Sequence, residues 1–226
     1  KAGRIKAHQN VVIEDKTIRE VGPKVKPTGT IINGTGKFLI PGLWDMHVHG
    51  TATPGFAEAY LGNGVVGVRD MFGPMAQIKS LRSRQSPAPE IVAAGKILDG
   101  PKPIWPGSFA IGTPEEGIKA VNDAIADGSD FIKVYSLLSR DSYFAIAEEA
   151  NRRRVVFAGH VPNSVTVLEA SNSGQKSQEH LYGILKACSS QEAELSGPNQ
   201  LSRKQLIEEL IKTYDPNKAN KVFATF

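Results

Sequence analysis

From Phe38 onward, short apolar runs alternate with polar loops and with segments whose apolar residues recur at helical spacing. The runs Leu43–His49, Val65–Asp70, Glu90–Lys96, Phe131–Ser136, Val155–His160 and Ser177–Leu181 have the length and β-branched content of strands. Two segments between them predict helices. Thr113-Pro114-Glu115-Glu116 supplies an N-cap, a proline at the first helical position and a glutamate three residues past the cap, and Asp127-Gly128 ends the run. Ser139 to Arg153 follows, with Phe144, Ile146, Ala147 and Ala150 as a core stripe. The stretch up to Lys37 differs: β-branched residues such as Val11-Val12-Ile13 and Thr30-Ile31-Ile32 are broken by Gly22-Pro23 and Asn33-Gly34, the texture of a small all-β unit.

Strand–helix alternation implies parallel strands joined by right-handed crossovers. A closed (β/α)₈ barrel needs eight such units and about six fit here, so the pattern allows an open doubly wound sheet or most of a barrel lacking its last strands. The expected domains are a β portion over 1–37 and an α/β portion over 38–226.

Composition narrows the classes. Of 226 residues, 40% are hydrophobic and 22% charged, enough to bury a core, which excludes disorder as the main state. No apolar run reaches the length a bilayer requires, so no membrane partner is expected. The single cysteine, Cys188, excludes an internal disulfide framework and a zinc site built on several thiolates. The net charge of +4 comes from scattered basic residues. Their one run, Arg152-Arg153-Arg154, falls where a helix should end and reads as a solvated helix terminus, so no nucleic-acid partner is expected. Residue 1 is Lys, and Lys221 to Phe226 stops inside an apolar pattern, so a longer parent chain is expected. Without a visible signal peptide the compartment is expected to be cytoplasmic, or periplasmic if one was removed.

Four of the five histidines sit at predicted C-terminal strand ends, where α/β folds place their sites. His47 and His49 alternate to one face of their strand, with Asp45 one step back on the same face. His160 and His180 end two later strands, and Lys133 lies inside the apolar run Phe131-Ile-Lys-Val-Tyr135. An ammonium there is costly unless paired or chemically altered. Neutral imidazole suits zinc and its neighbours, and with one cysteine the donors must be nitrogen and oxygen.

Leu39-Ile-Pro-Gly-Leu-Trp-Asp-Met-His-Val-His49 resembles the first barrel strand of the metal-dependent amidohydrolase superfamily, in its imidazolonepropionase-like and Xaa-Pro dipeptidase (prolidase-like) branch. Asn63-Gly-Val-Val-Gly-Val-Arg-Asp-Met71, Phe131-Ile-Lys-Val-Tyr-Ser136, Ala158-Gly-His-Val-Pro162 and Gln178-Glu-His-Leu181 resemble successive strands of that branch, in order. The resemblance implies a (β/α)₈ barrel, here lacking its last strands, with a small N-terminal β-sandwich portion. It also implies one or two divalent ions, expected to be zinc. On that resemblance His47 and His49 bind the more buried metal, His160 and His180 the outer one, and Lys133, carboxylated to a carbamate, bridges both. Water between the metals becomes the nucleophile. Tyr135 reaches a substrate carboxylate or the developing oxyanion, and Asp45 supports a ligand histidine from behind.

The family's acid/base aspartate belongs to an eighth strand, and no residue of this chain matches it. Asp70 is expected to pair with Arg69, and Glu179 to face away from the site. His8 is expected at the surface, Trp44 between sheet and helices, Trp105 in loop packing, and Cys188 as an unreactive thiol. The resemblance implies a hydrolase of amide or peptide bonds, a dipeptidase first and a cyclic-amide hydrolase second. The competing expectation is a non-catalytic fragment that only binds metal. The expected partners are a small-molecule or dipeptide substrate and a second copy of the chain.

Overall fold

A computed structural model describes residues 4–26, 29–84, 87–181, 183–196 and 201–226, and the chain divides into two units between Pro41 and Gly42. In the first, β1 (Asn10–Glu14) pairs antiparallel with β2 (Thr17–Gly22). Asp15 and Lys16 make the turn with φ of 48° and 66°, the left-handed pair that matches the twist of a two-residue hairpin. This hairpin is the sheet found among the described residues of that unit.

The second unit runs β3 (Leu43–Val48), α1 (Phe56–Gly62), β4 (Val65–Asp70), α2 (Met75–Arg82), β5 (Glu90–Ala93), β6 (Ile97–Asp99), β7 (Phe109–Ala110), α3 (Pro114–Ala126), β8 (Phe131–Val134), α4 (Arg140–Arg152), β9 (Val156–Gly159) and α5 (Val167–Asn172). Short helices α6 (Ile184–Ala187) and α7 (Glu192–Ser196) and the longer α8 (Arg203–Lys212) and α9 (Pro216–Thr225) follow. All its strand pairs are parallel, in the orders β3-β4-β5 and β7-β6-β8-β9. Apart from the two-residue β7, neighbours follow chain order, as in a truncated α/β barrel; a doubly wound sheet would reverse direction.

The capping signals hold. Thr113 and Glu116 form a reciprocal capping box with Pro114 at the first position of α3, and Ser139 caps α4. These helices pack closely because Gly117 leaves room: a Cβ there would lie 2.9 Å from Cγ1 of Ile146. In α4 the buried stripe holds Tyr143, Ile146, Ala147 and Ala150, while Phe144 is only half-buried and lies under the Arg140 guanidinium. The core beneath includes Ile132, Val134 and Phe157, side chains whose full burial contributes about 1.5–3 kcal/mol each.

Two expected strands are not continuous. Residues 90–96 break at Gly95, whose φ of +70° ends β5 and starts β6. A Cβ at Gly95 would sit 2.7 Å from Oγ of Ser129. The break lets β5 pair with β4 while β6 pairs with β8. The expected strand at 177–181 is reduced to one parallel bridge, Gly159 with Gln178. Residues 179–181 then turn in a short 3₁₀ segment with His180 and Leu181 at φ of 59° and 57°. Among the described residues no helix is long and apolar enough to cross a membrane.

Candidate functional site

The buried Tyr143 hydroxyl donates to Oε1 of Gln175 at 2.8 Å, and Nε2 of Gln175 donates to the carbonyls of Gly159 and Ser177, both at 3.1 Å. This fastens the 175–178 segment beside β9 and carries His180 toward the end of β3. Ring centroids of His47 and His180 are 4.5 Å apart, those of His47 and His49 5.2 Å, and those of His160 and His180 5.1 Å. Tyr135 stacks on His160 at 3.9 Å. Lys133, 1% exposed, places Nζ 5.8 Å from the Tyr135 ring centre. Side chains from positions 47 to 180 thus form one neighbourhood, where an unrelated doubly wound sheet would scatter them. The exposed His8 lies in the other unit.

The stacking of Tyr135 on His160 depends on the neighbouring backbone. Gly159 has φ of +138°, and a Cβ there would lie 2.1 Å from the Val134 carbonyl oxygen, so only glycine lets β9 reach β8 at this point.

Burial governs the charges. It pushes the Lys133 ammonium down to about 8, against the opposing pull of Glu179, with Arg69 lowering it further. It pushes His160 down to about 3, helped by Lys133 and the neighbouring histidines. His47 is also lowered by burial, while its hydrogen bond to Glu179 works the other way. His47 and His160 are therefore neutral at pH 7, the form that ligates metals. Nδ1 of His160 is 2.8 Å from Oγ of Ser136, and Nδ1 of His47 is 2.5 Å from Oε2 of Glu179. In His47 that bond leaves Nε2 as the other ring nitrogen. The donor types fit a divalent metal, although among the described residues no three His, Cys, Asp or Glu side chains stand in ligand geometry.

Three expectations about neighbours, those for Glu179, the Arg69–Asp70 pair and Trp105, need correction. Glu179 does not face away: the segment leaves the sheet after Gln178, so strand alternation stops applying, and the buried carboxylate contacts His47. Arg69 pairs with Glu179 at 2.6 Å and not with Asp70. Asp70, fully buried, accepts from the Thr51 hydroxyl at 2.6 Å and the Phe72 amide at 3.0 Å, tying the loop after His49 to the end of β4. Asp45 is exposed and accepts from the backbone N–H of His47 at 3.1 Å, a contact with that histidine's main chain, while the carboxylate at its ring is that of Glu179. Trp105 does more than pack: its Nε1 donates to the Tyr135 hydroxyl at 2.8 Å. Asp99, buried, holds both loops by accepting from the Ile104 and Leu137 amides at 3.0 Å and 2.7 Å. Trp44 lies against Gly67 yet stays 43% exposed, and Cys188 is buried, its thiol pushed up by burial.

Of these, Arg69 and Glu179 had a usable signal. Both are charges in otherwise strand-like segments, and the reasoning that flags Lys133 asks for their partners too.

Solved structures share the fold that carries these residues. A protein from Bifidobacterium longum provisionally named a prolidase superposes with a TM-score of 0.67 at 19% identity, over 95% of this chain and 66% of that one. A Xaa-Pro dipeptidase with methionine bound in its active site gives 0.56 at 15% identity, over 95% and 71%. Bottromycin amidohydrolase gives 0.55 at 20% identity, over 82% and 53%. The fold is theirs. The resemblance read from the sequence motifs therefore extends to the backbone, and the chain spans between about half and seven-tenths of these relatives' lengths. No protein-family model and no curated protein matches the sequence.

Proposed function

We propose that the chain carries the metal-binding side of a hydrolase acting on amide or peptide C–N bonds, a dipeptidase before a cyclic-amide hydrolase. The observation that supports this reading is the convergence of His47, His49, His160 and His180 around the buried Lys133. The imidazoles would supply nitrogen donors, His47 and His49 to an inner ion and His160 and His180 to an outer one. Lys133, lowered to about 8, spends part of its time as a free amine near neutral pH. That amine can add to carbon dioxide and lose a proton, turning a repelled cation into an anion with two oxygen donors. A bound divalent ion, zinc on this donor set, would lower the pKa of water and polarise an amide carbonyl.

The remaining work falls to the chain's own residues. Because the Tyr135 oxygen already accepts from Trp105, its own O–H is left to donate to a substrate carboxylate or a developing oxyanion. The half-exposed Trp105 ring beside it offers an apolar wall for the substrate's side chain. Asp99 holds the loops carrying both aromatics.

The test is elemental analysis of the purified protein, prepared with and without bicarbonate, alongside hydrolysis of dipeptides, N-acyl amino acids and cyclic amides. The expected result is about one or two divalent ions per chain, raised by bicarbonate and reduced about 10-fold or more in Lys133→Ala and His160→Ala. Wild-type protein holding no more metal than the two variants would defeat the reading. Metal without turnover of any substrate would favour a binding role alone.

A further inference from the structure

The contact between His47 and Glu179 joins residues 132 positions apart in sequence, and everything around it restrains the carboxylate. Oε1 accepts from the Arg69 guanidinium at 2.6 Å and from the Ser177 hydroxyl at 2.5 Å, leaving Oε2 for Nδ1 of His47 at 2.5 Å. Arg69 is held in turn: Nε donates to the Met46 carbonyl at 2.7 Å and Nη1 to Oγ of Ser177 at 3.0 Å. Glu179 is 8% exposed and Arg69 pins one of its oxygens, so the carboxylate has little freedom to turn away. A carboxylate only accepts, and a neutral imidazole has one N–H to give. The proton of His47 therefore sits on Nδ1, and the lone pair on Nε2.

We infer that Glu179 is a positioning residue: held by Arg69 and Ser177, it fixes the tautomer and ring orientation of His47 so that Nε2 is the nitrogen offered to the site. This deepens the reading above and rests on it for what Nε2 meets, though not for the tautomer itself. The same anchor bears on His180. Its left-handed backbone, uncommon for a residue with a side chain, follows immediately after Glu179, so the carboxylate that orients one imidazole also holds the turn that presents another.

The test uses two substitutions and two readouts. In metal-free, ¹⁵N-histidine-labelled protein, long-range ¹H–¹⁵N correlations distinguish a protonated from an unprotonated ring nitrogen, with His47 assigned by a His47→Gln spectrum. Wild-type His47 is expected as the Nδ1–H form. In Glu179→Gln the amide oxygen can stay on Arg69 and turn its NH₂ toward Nδ1, which moves the His47 proton to Nε2. Glu179→Asp keeps an acceptor and should retain the Nδ1–H form. Zinc affinity, measured by competition with a chelating dye, should fall about 10–100-fold in Glu179→Gln and less in Glu179→Asp.

A wild-type His47 protonated on Nε2, or a Glu179→Gln protein that folds with its tautomer unchanged, would overturn the inference. So would a shifted tautomer with unaltered zinc affinity. Should the wild-type chain bind no zinc, the metal reading fails alone, because the nitrogen pattern of His47 in metal-free protein still decides what Glu179 does.

Discussion

Two histidines in this molecule are held by the same ring atom in opposite ways. His47 meets a buried carboxylate that is itself paired with a guanidinium, whereas His160 meets a serine hydroxyl. Burial lowers both rings, but the hydrogen bond to Glu179 pulls His47 back toward its ordinary value, whereas His160, lowered further by Lys133 and the neighbouring histidines, falls to about 3. The charged partner gives a tautomer that is hard to change at the cost of a buried ion pair. The neutral partner can donate or accept, so it orients His160 without dictating which nitrogen carries the proton.

The sharpest way to break this contrast is to remove the carboxylate. Glu179→Ala leaves Arg69 without its counter-ion, and about 3–5 kcal/mol of stability should be lost in urea unfolding. A loss under about 1 kcal/mol would mean the pair is not the restraint described.

The next largest effect is on acid stability of the metal-free protein. A histidine lowered in the folded state binds its proton more readily when unfolded. His160 therefore contributes no penalty above its ordinary value of 6.5, and stability declines as pH falls from there toward about 3. The decline attributable to it is roughly 2–4 kcal/mol across that window, read as the difference between wild type and His160→Gln in unfolding at several pH values. Parallel curves would show that His160 takes up its proton as easily folded as unfolded.

Ser136→Ala should cost about 1 kcal/mol, one neutral hydrogen bond, and its much smaller penalty than Glu179→Ala is the contrast itself in numbers. Smallest is Trp105→Phe, which deletes a half-exposed N–H bond worth about 0.5 kcal/mol. Under the proposed function it should nevertheless raise KM for carboxylate-bearing substrates more than it lowers kcat, a split that a purely packing role would not produce.

Much of this region is legible in the sequence, and the reason differs from element to element. The caps of α3 and α4 are local chemistry: Thr113, Pro114, Glu116 and Ser139 act on backbone within four residues. The histidines at 47 and 49 follow from alternation along a strand that forms, and His160 from its place just past the end of another. Alternation fails at 177–181 because the chain makes one bridge and then turns through two left-handed residues, His180 and Leu181, which no glycine or asparagine announces. Glu179 lies off its expected face for that reason, and Arg69 finds a different partner with it. The Gly95 break has a signal, a glycine within a strand-like run, but its meaning lies in Ser129 and Met75, which pack against it from afar. Trp105 bonding to Tyr135 spans two loops and leaves no periodic trace.

Gly159 sets how near two imidazole- and phenol-bearing strands can come. Its lone hydrogen occupies the space a methyl would need against the Val134 carbonyl, and the overlap of Tyr135 with His160 follows directly from that clearance. Alanine at this position would subtract no reactive group, yet it would wedge the seam open and pull phenol and imidazole apart while leaving both side chains chemically untouched.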